Sequence, residues 1–463
     1  MENSNGSLAL ILAAGAGTRM KSKKPKVLHE LCGKPMLEHV IEQAHALQVD
    51  GTIVVIGNGA ERVRASIGEG VDYTYQMEQL GTGHAVLQAK EYFQNYQGGV
   101  LLLYGDTPLI TSDTLKALIR YHREHHFDAT VLTARLEDAT GYGRIIRDLR
   151  GNITSIVEHK DANQEQLRIK EINSGMYYFD AQLLVQALDR LDNNNAQGEY
   201  YITDVISILN TMGCAIGGYI LENSEEIMGV NSRVQLADAE AIMRERINRY
   251  WMEQGVTMVD PKTTYILKDV VIGQDTTLYP GVQIEGKSRI GENCTIGANS
   301  RIVSSEIGDN VEIQFSTILE SRIDEGSKIG PYAYLRPKSI IGKHVKIGDF
   351  VEVKNSTIGD HSKASHLSYI GDADVGEGVN VGCGVVFVNY DGKNKHRTLV
   401  RDNAFIGCNA NLVAPVEVKE GAYVAAGSTI TNEVPPYSLA IARARQVVKE
   451  DWKGINKTDS KDK

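Results

Sequence analysis

From Ile272 onward an aliphatic side chain returns at every sixth position, and that beat predicts the architecture of the C-terminal half of the chain. Ile272, Leu278, Ile284, Ile290, Ile296 and Ile302 form one frame. After a slip, Ile323, Ile329, Leu335, Ile341, Ile347 and Val353 form a second, and Val400, Ile406, Leu412, Val418, Val424 and Ile430 a third. A helix of about 3.6 residues per turn and a strand of period two would both scatter these side chains, so the pattern is one of tandem hexapeptides. It predicts a left-handed parallel β-helix in which three short strands close a triangular coil of about 18 residues around an axial aliphatic core. Gly follows the inward residue at 273, 291, 297, 308, 330, 342, 348, 359, 371 and 407. Such glycines suit corners where the backbone takes a positive φ or leaves no room for Cβ. A sandwich would instead show alternation over longer strands, which is absent.

The N-terminal half has a different rhythm. Apolar runs at 8–12, 52–56, 71–75 and 100–104 predict strands, and amphipathic stretches at 35–47, 84–93 and 114–124 predict helices, the last capped by Thr111, Ser112 or Asp113. This alternation implies a Rossmann-like α/β fold whose sheet is mixed but largely parallel, with ligands at the carboxyl ends of its strands. Residues 234–251 lack Gly and Pro, are rich in Ala, Glu, Met and Arg, and show helical spacing through Leu236, Ala239, Met243 and Ile247. They predict one helical arm between two domains. The expected division is 1–232, a linker at 233–253, and 254–463.

Length and charge narrow the function. A chain of 463 residues exceeds a single core. A net charge of -10 argues against a nucleic-acid partner. Two basic clusters break the acidic background, Arg19, Lys21, Lys23, Lys24 and Lys26 near the start and Lys393, Lys395, His396 and Arg397 near the end. Both lie beside Gly-rich turns where a phosphate could be held. The opening MENSNGSLALILAAG has no basic n-region and too short an apolar run for a signal peptide or a span, so a cytoplasmic protein without membrane insertion is expected. Five cysteines, Cys32, Cys214, Cys294, Cys383 and Cys408, form no C-x-x-C pair and read as reduced thiols.

The Gly-rich loop after the first strand decides the chemistry. A dinucleotide fingerprint would need Gly where Met20 stands and an acid closing the second strand where the chain has Ile56-Gly57, and a Walker loop is missing its Gly-Lys-Ser/Thr. The set Leu12-Ala13-Ala14-Gly15-x-Gly17-Thr18-Arg19-Met20 followed by Pro25-Lys26 resembles instead the signature of sugar-nucleotide pyrophosphorylases. Further motifs extend the likeness: Gln79-Leu80-Gly81-Thr82-Gly83-His84, Tyr104-Gly105-Asp106, Gly141-Tyr142-Gly143-Arg144, Glu158-His159-Lys160, Gln197-Gly198-Glu199-Tyr200 and Gly229-Val230-Asn231. Together with the hexapeptides, the chain is similar over nearly its whole length to the bacterial bifunctional N-acetylglucosamine-1-phosphate uridylyltransferases / glucosamine-1-phosphate N-acetyltransferases.

That resemblance implies two sites. At the first, Arg19 and Lys26 would neutralise phosphates during in-line attack. Leu12, Ala13, Ala14, Gly15, Lys26, Gln76, Gly81, Thr82, Tyr104 and Gly105 would contact the uridine nucleotide, while Gly143, Glu158 and Asn173 face the sugar. Asp106 ends an apolar run and reads equally as a turn or helix cap or as a metal ligand; Asn231 by itself reads as a loop residue. The resemblance makes Asp106 and Asn231 the two protein ligands of Mg²⁺. Ala16 stands where many relatives carry Lys.

At the second site, the rhythm breaks after Phe387, so residues 389–397 must leave the coil as a loop, and loops that interrupt a solenoid tend to carry function. Acetyl transfer to an amine needs a base, and histidine titrates in the right range. A lone His between coils is more often a surface residue, but His366 in Lys363-Ala364-Ser365-His366 matches the family's base. The resemblance gives Arg336 and Lys354 to the sugar phosphate, Tyr369 and Asn380 to the sugar, and Cys383, Asn389, Tyr390, Cys408, Ala426 and Arg443 to acetyl-CoA. Ser365, Cys383 and Cys408 replace residues common in relatives. Cys408 has no activating base in view, and direct transfer needs no acyl-enzyme, so it reads as a small wall residue.

The implied function is UDP-N-acetylglucosamine synthesis for the cell wall, from acetyl-CoA, glucosamine 1-phosphate and UTP, by a homotrimer packed through its β-helix. The alternatives are a pyrophosphorylase whose β-helix only oligomerises it, against which His366 and the 389–397 loop speak, and a non-enzymatic regulatory subunit, against which Arg19, Lys26, Asp106 and Asn231 speak. The polar tail at 458–463 is expected to be partly disordered.

Overall fold

The computed structural model describes residues 6–452, so the tail lies outside the described residues. The chain divides into two compact units, residues up to 246 and from 247, and the division falls inside the helix Arg233–Glu253. Among the described residues no helix is long and apolar enough to cross a membrane.

The first unit is built on a sheet with the strand order Ile216–Leu221, Ala129–Arg135, Glu171–Asp180, Gly98–Tyr104, Gly6–Leu12, Gly51–Ile56, Asp72–Tyr75. Six of these strands run as the parallel expectation required. The Glu171–Asp180 strand runs antiparallel to both neighbours and makes the sheet mixed. It also carries the Arg144–Arg147 and Ile153–Val157 hairpin on its flank. The central strands are apolar on both faces because helices cover both, as in other doubly covered sheets. The helix expected at 84–93 is two shorter ones, Thr82–Leu87 and Lys90–Phe93. The helix Ser112–Glu124 is capped by Thr111, whose Oγ1 accepts from the Thr114 amide.

The second unit is the left-handed parallel β-helix. Its strands are two to four residues long and stack into three parallel sheets of eleven, ten and nine strands. Each strand points one aliphatic residue into the axis, and Ile284, Ile302, Leu335, Ile341, Ile347, Val353, Ile406 and Leu412 are wholly buried there. Two residues earlier a small side chain also faces inward, Ser300, Ser327, Ser339, Ser356 and Ser362 among them. Ser327 Oγ donates to the Gly342 carbonyl at 2.7 Å and accepts the Val345 amide at 2.9 Å. Such hydroxyls satisfy buried backbone groups where the chain turns a corner.

One expectation needs correction and another is narrowed. The coils are not uniformly of 18 residues: paired positions stand 18 apart at Gln283 and Arg301 but 16 apart at Glu306 and Arg322. Between the first two frames the register slips at three corners that are one residue shorter, from Ile302 to Ile307, Ile313 to Ile318 and Ile318 to Ile323, turned by Ser304, Phe315 and Glu320 at φ 47, 43 and 43; the last two fall within the 16-residue coil. Of the two reasons expected for the glycines after the inward residue, positive φ or no room for Cβ, the second holds at most of them. Of that set only Gly330 has a positive φ, whereas a Cβ on Gly348 would lie 2.0 Å from the Ser365 carbonyl oxygen and one on Gly273 2.6 Å from backbone of the next coil. They are Gly because successive coils touch there. The left-handed positions lie two residues further on, at Asp275, Asn293 and Asn299 for example.

The axial core sets the stability of this unit. Ile341→Ala removes a fully buried side chain and is expected to destabilise by about 2–5 kcal/mol. Lys343→Ala on the same coil is expected to change stability by about 0.5 kcal/mol or less. The midpoints of urea unfolding followed by circular dichroism check the contrast.

Two candidate active sites

The first site forms where the Gly6–Leu12 and Gly98–Tyr104 strands, paired with Leu12 opposite Tyr104, end side by side. The Gly105 amide donates to the Leu12 carbonyl at 2.9 Å and the Ala13 amide to the Val55 carbonyl at 2.8 Å, which ties three strand ends into one rim. Gly17 has φ 62, and a Cβ there would lie 2.6 Å from Lys26 Cβ, so only Gly lets the loop close over the lysine. Gly81 has φ 110 and its Cβ would meet the Tyr200 carbonyl at 2.5 Å. The 79–84 loop is thereby zipped to the 199–201 segment, with the Gly83 amide donating to the Tyr200 carbonyl at 2.7 Å and the Tyr200 amide to the Leu80 carbonyl at 2.8 Å.

These loops enclose a cavity of about 340 Å³. Of the predicted residues, Leu12, Ala13, Ala14, Gly15, Lys26, Gln76, Gly81, Thr82, Tyr104 and Asp106 line it. Lys26 Nζ bridges the Asp106 carboxylate and the Asn231 side-chain oxygen, the latter at 3.0 Å. The Val230 amide donates to the Asp106 carbonyl at 2.8 Å and the Asn231 amide to Gln235 Oε1 at 2.9 Å, so the distant 230 segment is fastened beside Asp106. Gly143, Glu158 and Asn173 form a second group. A Cβ on Gly143 would be 3.6 Å from both Asn173 Cβ and Glu158 Oε1, and the Asn173 amide donates to the Gly143 carbonyl at 2.9 Å. Burial pushes the Glu158 carboxyl up even though Thr203 Oγ1 donates to it at 3.3 Å. Burial, and then the charges of Glu158 and Asp106, push the Tyr104 phenol up as well. Arg19 is exposed in the short turn Thr18–Met20 and does not line the cavity. The sequence reading missed Gln79 and Glu199 on the wall, although both lie in the motifs quoted for the resemblance; Gln79 Nε2 donates to the Ala14 carbonyl at 2.9 Å.

The second site lies on the prism. His366 and Tyr369 flank one corner, with the Lys363–His366 strand in one sheet and the Tyr369–Gly371 strand in the next. In His366's sheet the Val381 and Ile406 strands stack in register, which puts Cys383 and Cys408 in one column. The Asn409 amide donates to the Cys383 carbonyl at 2.7 Å, and Arg443 reaches the Ala426 carbonyl at 2.7 Å. Both cysteines are free thiols. In the neighbouring sheet Leu335 pairs with Val353 and Lys354 with Gly371, so Arg336 and Lys354 are adjacent along the stack. Arg336 holds Glu352 at 2.8 Å and Lys354 is 3.6 Å from Asp372. Asn389 Nδ2 donates to Asp372 Oδ2 at 2.5 Å and to the Tyr369 hydroxyl at 3.3 Å, which fixes the root of the 389–397 loop. Asn380 pairs with Lys363 and Phe405, on the face that carries His366.

The loop brings Lys395 against Lys354, and this contact lowers the Lys395 ammonium from its ordinary range. Two cations held together, with Arg336 nearby in the stack, suit an anion better than either alone. The sequence reading marked Lys395 only as part of a basic cluster, and missed Asp349, Glu352 and Asp372 because their partners lie a coil away.

Comparison with known proteins agrees with both halves. Residues 8–255 match the nucleotidyl transferase family, and residues 269–304 and 320–355 match the bacterial transferase hexapeptide repeats. The chain is 58% identical to a bifunctional protein GlmU of Clostridioides difficile over 98% of each chain. It is 60% identical to the GlmU of Alkaliphilus oremlandii over 96% of this chain and 97% of the relative, and 56% identical to that of Alkaliphilus metalliredigens over 97% and 99%. On identity of this extent and coverage, the chain belongs to the GlmU family of bifunctional proteins.

Proposed function

We propose that the two sites work in sequence, acetyl transfer on the prism and uridylyl transfer on the sheet. The enzyme makes UDP-N-acetylglucosamine from glucosamine 1-phosphate, acetyl-CoA and UTP, releasing CoA and pyrophosphate. The observation that carries the first half of the residue reading is the Lys26 bridge between Asp106 and Asn231. Two oxygens from positions 125 residues apart in sequence already share one cation, and an oxygen pair of this kind fits Mg²⁺. Among the described residues no group of three or more His, Cys, Asp or Glu is placed to hold a metal, but Mg²⁺ needs only one or two protein oxygens when phosphates and water complete its shell. Bound there, Mg²⁺ would neutralise phosphate oxygens of UTP. Lys26 and the backbone amides of residues 12–15 align the triphosphate, Gln76, Gly81 and Thr82 hold the uridine, and Gly143, Glu158 and Asn173 orient the sugar for in-line attack. Arg19 reaches the phosphates from the loop rim.

On the prism, His366 takes a proton from the C2 amine as it attacks the thioester. Arg336, Lys354 and Lys395 hold the sugar phosphate, Tyr369 and Asn380 the sugar, and Asn389, Tyr390, Cys383, Cys408, Ala426 and Arg443 the acetyl-CoA. Both reactions use cytoplasmic metabolites, which places the enzyme in the cytoplasm. The proposed domain division at 1–232, 233–253 and 254–463 gives each reaction its own unit. Free thiol is followed first, with acetyl-CoA and glucosamine 1-phosphate; UTP and Mg²⁺ are then added and pyrophosphate is followed. Both signals are expected, and the absence of either removes the corresponding half of the proposal.

We assign the working form as a trimer packed along the prism, the state the resemblance implies, and one corner supports an interface there. In nine successive coils its left-handed position is held by Gly281, Asn299, Phe315, Tyr332, Phe350, Leu367, Gly384, Asn409 and Gly427. Gly and Asn adopt that backbone readily, but bulky apolar residues there cost about 1–2 kcal/mol each. Phe315, Tyr332, Phe350 and Leu367 are exposed in the single chain, with rings 5.8 and 5.5 Å apart up the ladder. A contiguous exposed apolar stripe marks an interface. The double substitution Tyr332→Asp, Phe350→Asp is expected to convert a species of three copies into single chains in sedimentation equilibrium. A wild-type mass of one chain would remove this assignment.

A further inference from the structure

The base on the prism has a carboxylate partner. His366 ends the Lys363–His366 strand, and the preceding coil's strand, Lys346–Asp349, pairs with it so that Asp349 is the register neighbour of His366. His366 Nδ1 lies 2.7 Å from Asp349 Oδ1. The two coils cannot slide past each other here. Ile347 and Ala364 anchor these strands in the axial core, and the Gly348 backbone already touches the Ser365 carbonyl, which a Cβ would approach to 2.0 Å. Ser368 Oγ, bonded to the His366 carbonyl at 2.9 Å and to the Gly382 carbonyl at 3.0 Å, fixes the far side.

Other carboxylates of the site are engaged elsewhere. Glu352 holds Arg336, and Asp372 takes the amides of Asn355 and Asn389 beside Lys354. The hydrogen bond from His366, followed by a backbone amide, keeps the Asp349 carboxyl below its usual range, so it is an anion at neutral pH. A neutral imidazole facing a carboxylate through Nδ1 must carry its proton there, which leaves the Nε2 lone pair free.

We propose that Asp349 is a positioning residue for acetyl transfer, holding His366 in the tautomer whose Nε2 accepts the substrate proton and balancing the imidazolium that results. The C2 amine of the sugar attacks the thioester carbonyl, the new C–N bond forms and the C–S bond breaks. The amine proton passes to Nε2 and then to the departing CoA sulfur, leaving the free thiol and the N-acetyl sugar phosphate. This rests on His366 being the base, as proposed above.

The full chain and its Asp349→Asn and Asp349→Ala variants are compared by thiol release from acetyl-CoA with glucosamine 1-phosphate. An asparagine amide facing Nδ1 favours the wrong tautomer, and alanine removes the partner altogether. In both variants kcat is expected to fall about tenfold or more while KM for each substrate stays within about twofold. Both groups are half-exposed in the single chain, and the site must admit acetyl-CoA, so formate can enter the space left in Asp349→Ala and restore kcat, whereas chloride at equal ionic strength does not. Unchanged kcat in both variants overturns the proposal. So does a fall in kcat that formate fails to relieve, or one matched by a rise in KM. If the wild-type chain itself releases no thiol, the reading of His366 falls first and this inference with it.

Discussion

Replacing His366 by alanine is expected to lower thiol release from acetyl-CoA about a hundredfold or more and to leave pyrophosphate release from UTP and N-acetylglucosamine 1-phosphate unchanged. The amine that attacks the thioester must lose a proton as the bond forms, and no other side chain at this corner replaces the imidazole. His344 and His361 stack on each other, with ring centroids 5.3 Å apart, and His396 is bound to Asp391 at 2.7 Å within the loop. His366 is exposed and buries no core surface, so the variant keeps its fold. Paired measurements of thiol and pyrophosphate on one preparation check the expectation. A parallel loss of both signals would mean that the residue supports the fold rather than the chemistry.

The converse variant is expected to have an effect as large. Asp106→Ala should lower pyrophosphate release about a hundredfold or more and leave thiol release intact. The substitution takes one oxygen from the pair around Lys26 Nζ and leaves Asn231 as the remaining partner, so a cation and the phosphates it would neutralise lose their seat. EDTA on the wild type is expected to reproduce this pattern, since acetyl transfer on the prism calls on no metal in this account. If EDTA stopped thiol release as well, the metal reading of Asp106 and Asn231 would be too narrow.

How much of this was legible beforehand depends on how far apart in sequence the interacting groups lie. The hexapeptide beat was plain because every short strand must bury one aliphatic side chain, which leaves Ile341, Ile347 and Val353 no other chemistry to adopt. The second inward ladder escaped notice. Its positions accept Ser, Ala, Val or Cys alike, as Ser339, Ala333, Val345 and Cys294 do, and a mixture of small residues has no visible period. The shortened corners escaped for a related reason, since a turn of one residue fewer looks in sequence only like a lost frame. Lys26, Asp106 and Asn231 were named from a resemblance, because no local rule joins residues separated by 80 and 205 positions. The Asp349 to His366 contact spans 17 residues, one coil, and could have been read by stacking the repeats. Lys395 could not, because the loop that carries it leaves the repeat before it returns to Lys354. A mixed sheet was expected, but that Glu171–Asp180 is the strand that runs antiparallel was hidden, since strand direction is set by the connections around a strand and not by its composition.

The claim that one chain holds two independent sites linked by a free intermediate is tested most directly by mixing the two variants. Glucosamine 1-phosphate, acetyl-CoA, UTP and Mg²⁺ are supplied, and UDP-N-acetylglucosamine is measured. His366→Ala alone and Asp106→Ala alone should each yield almost none, and the equal mixture should recover synthesis, because N-acetylglucosamine 1-phosphate made on one protein is consumed on the other. No product from the mixture, with each variant still performing its own half-reaction, would contradict the account.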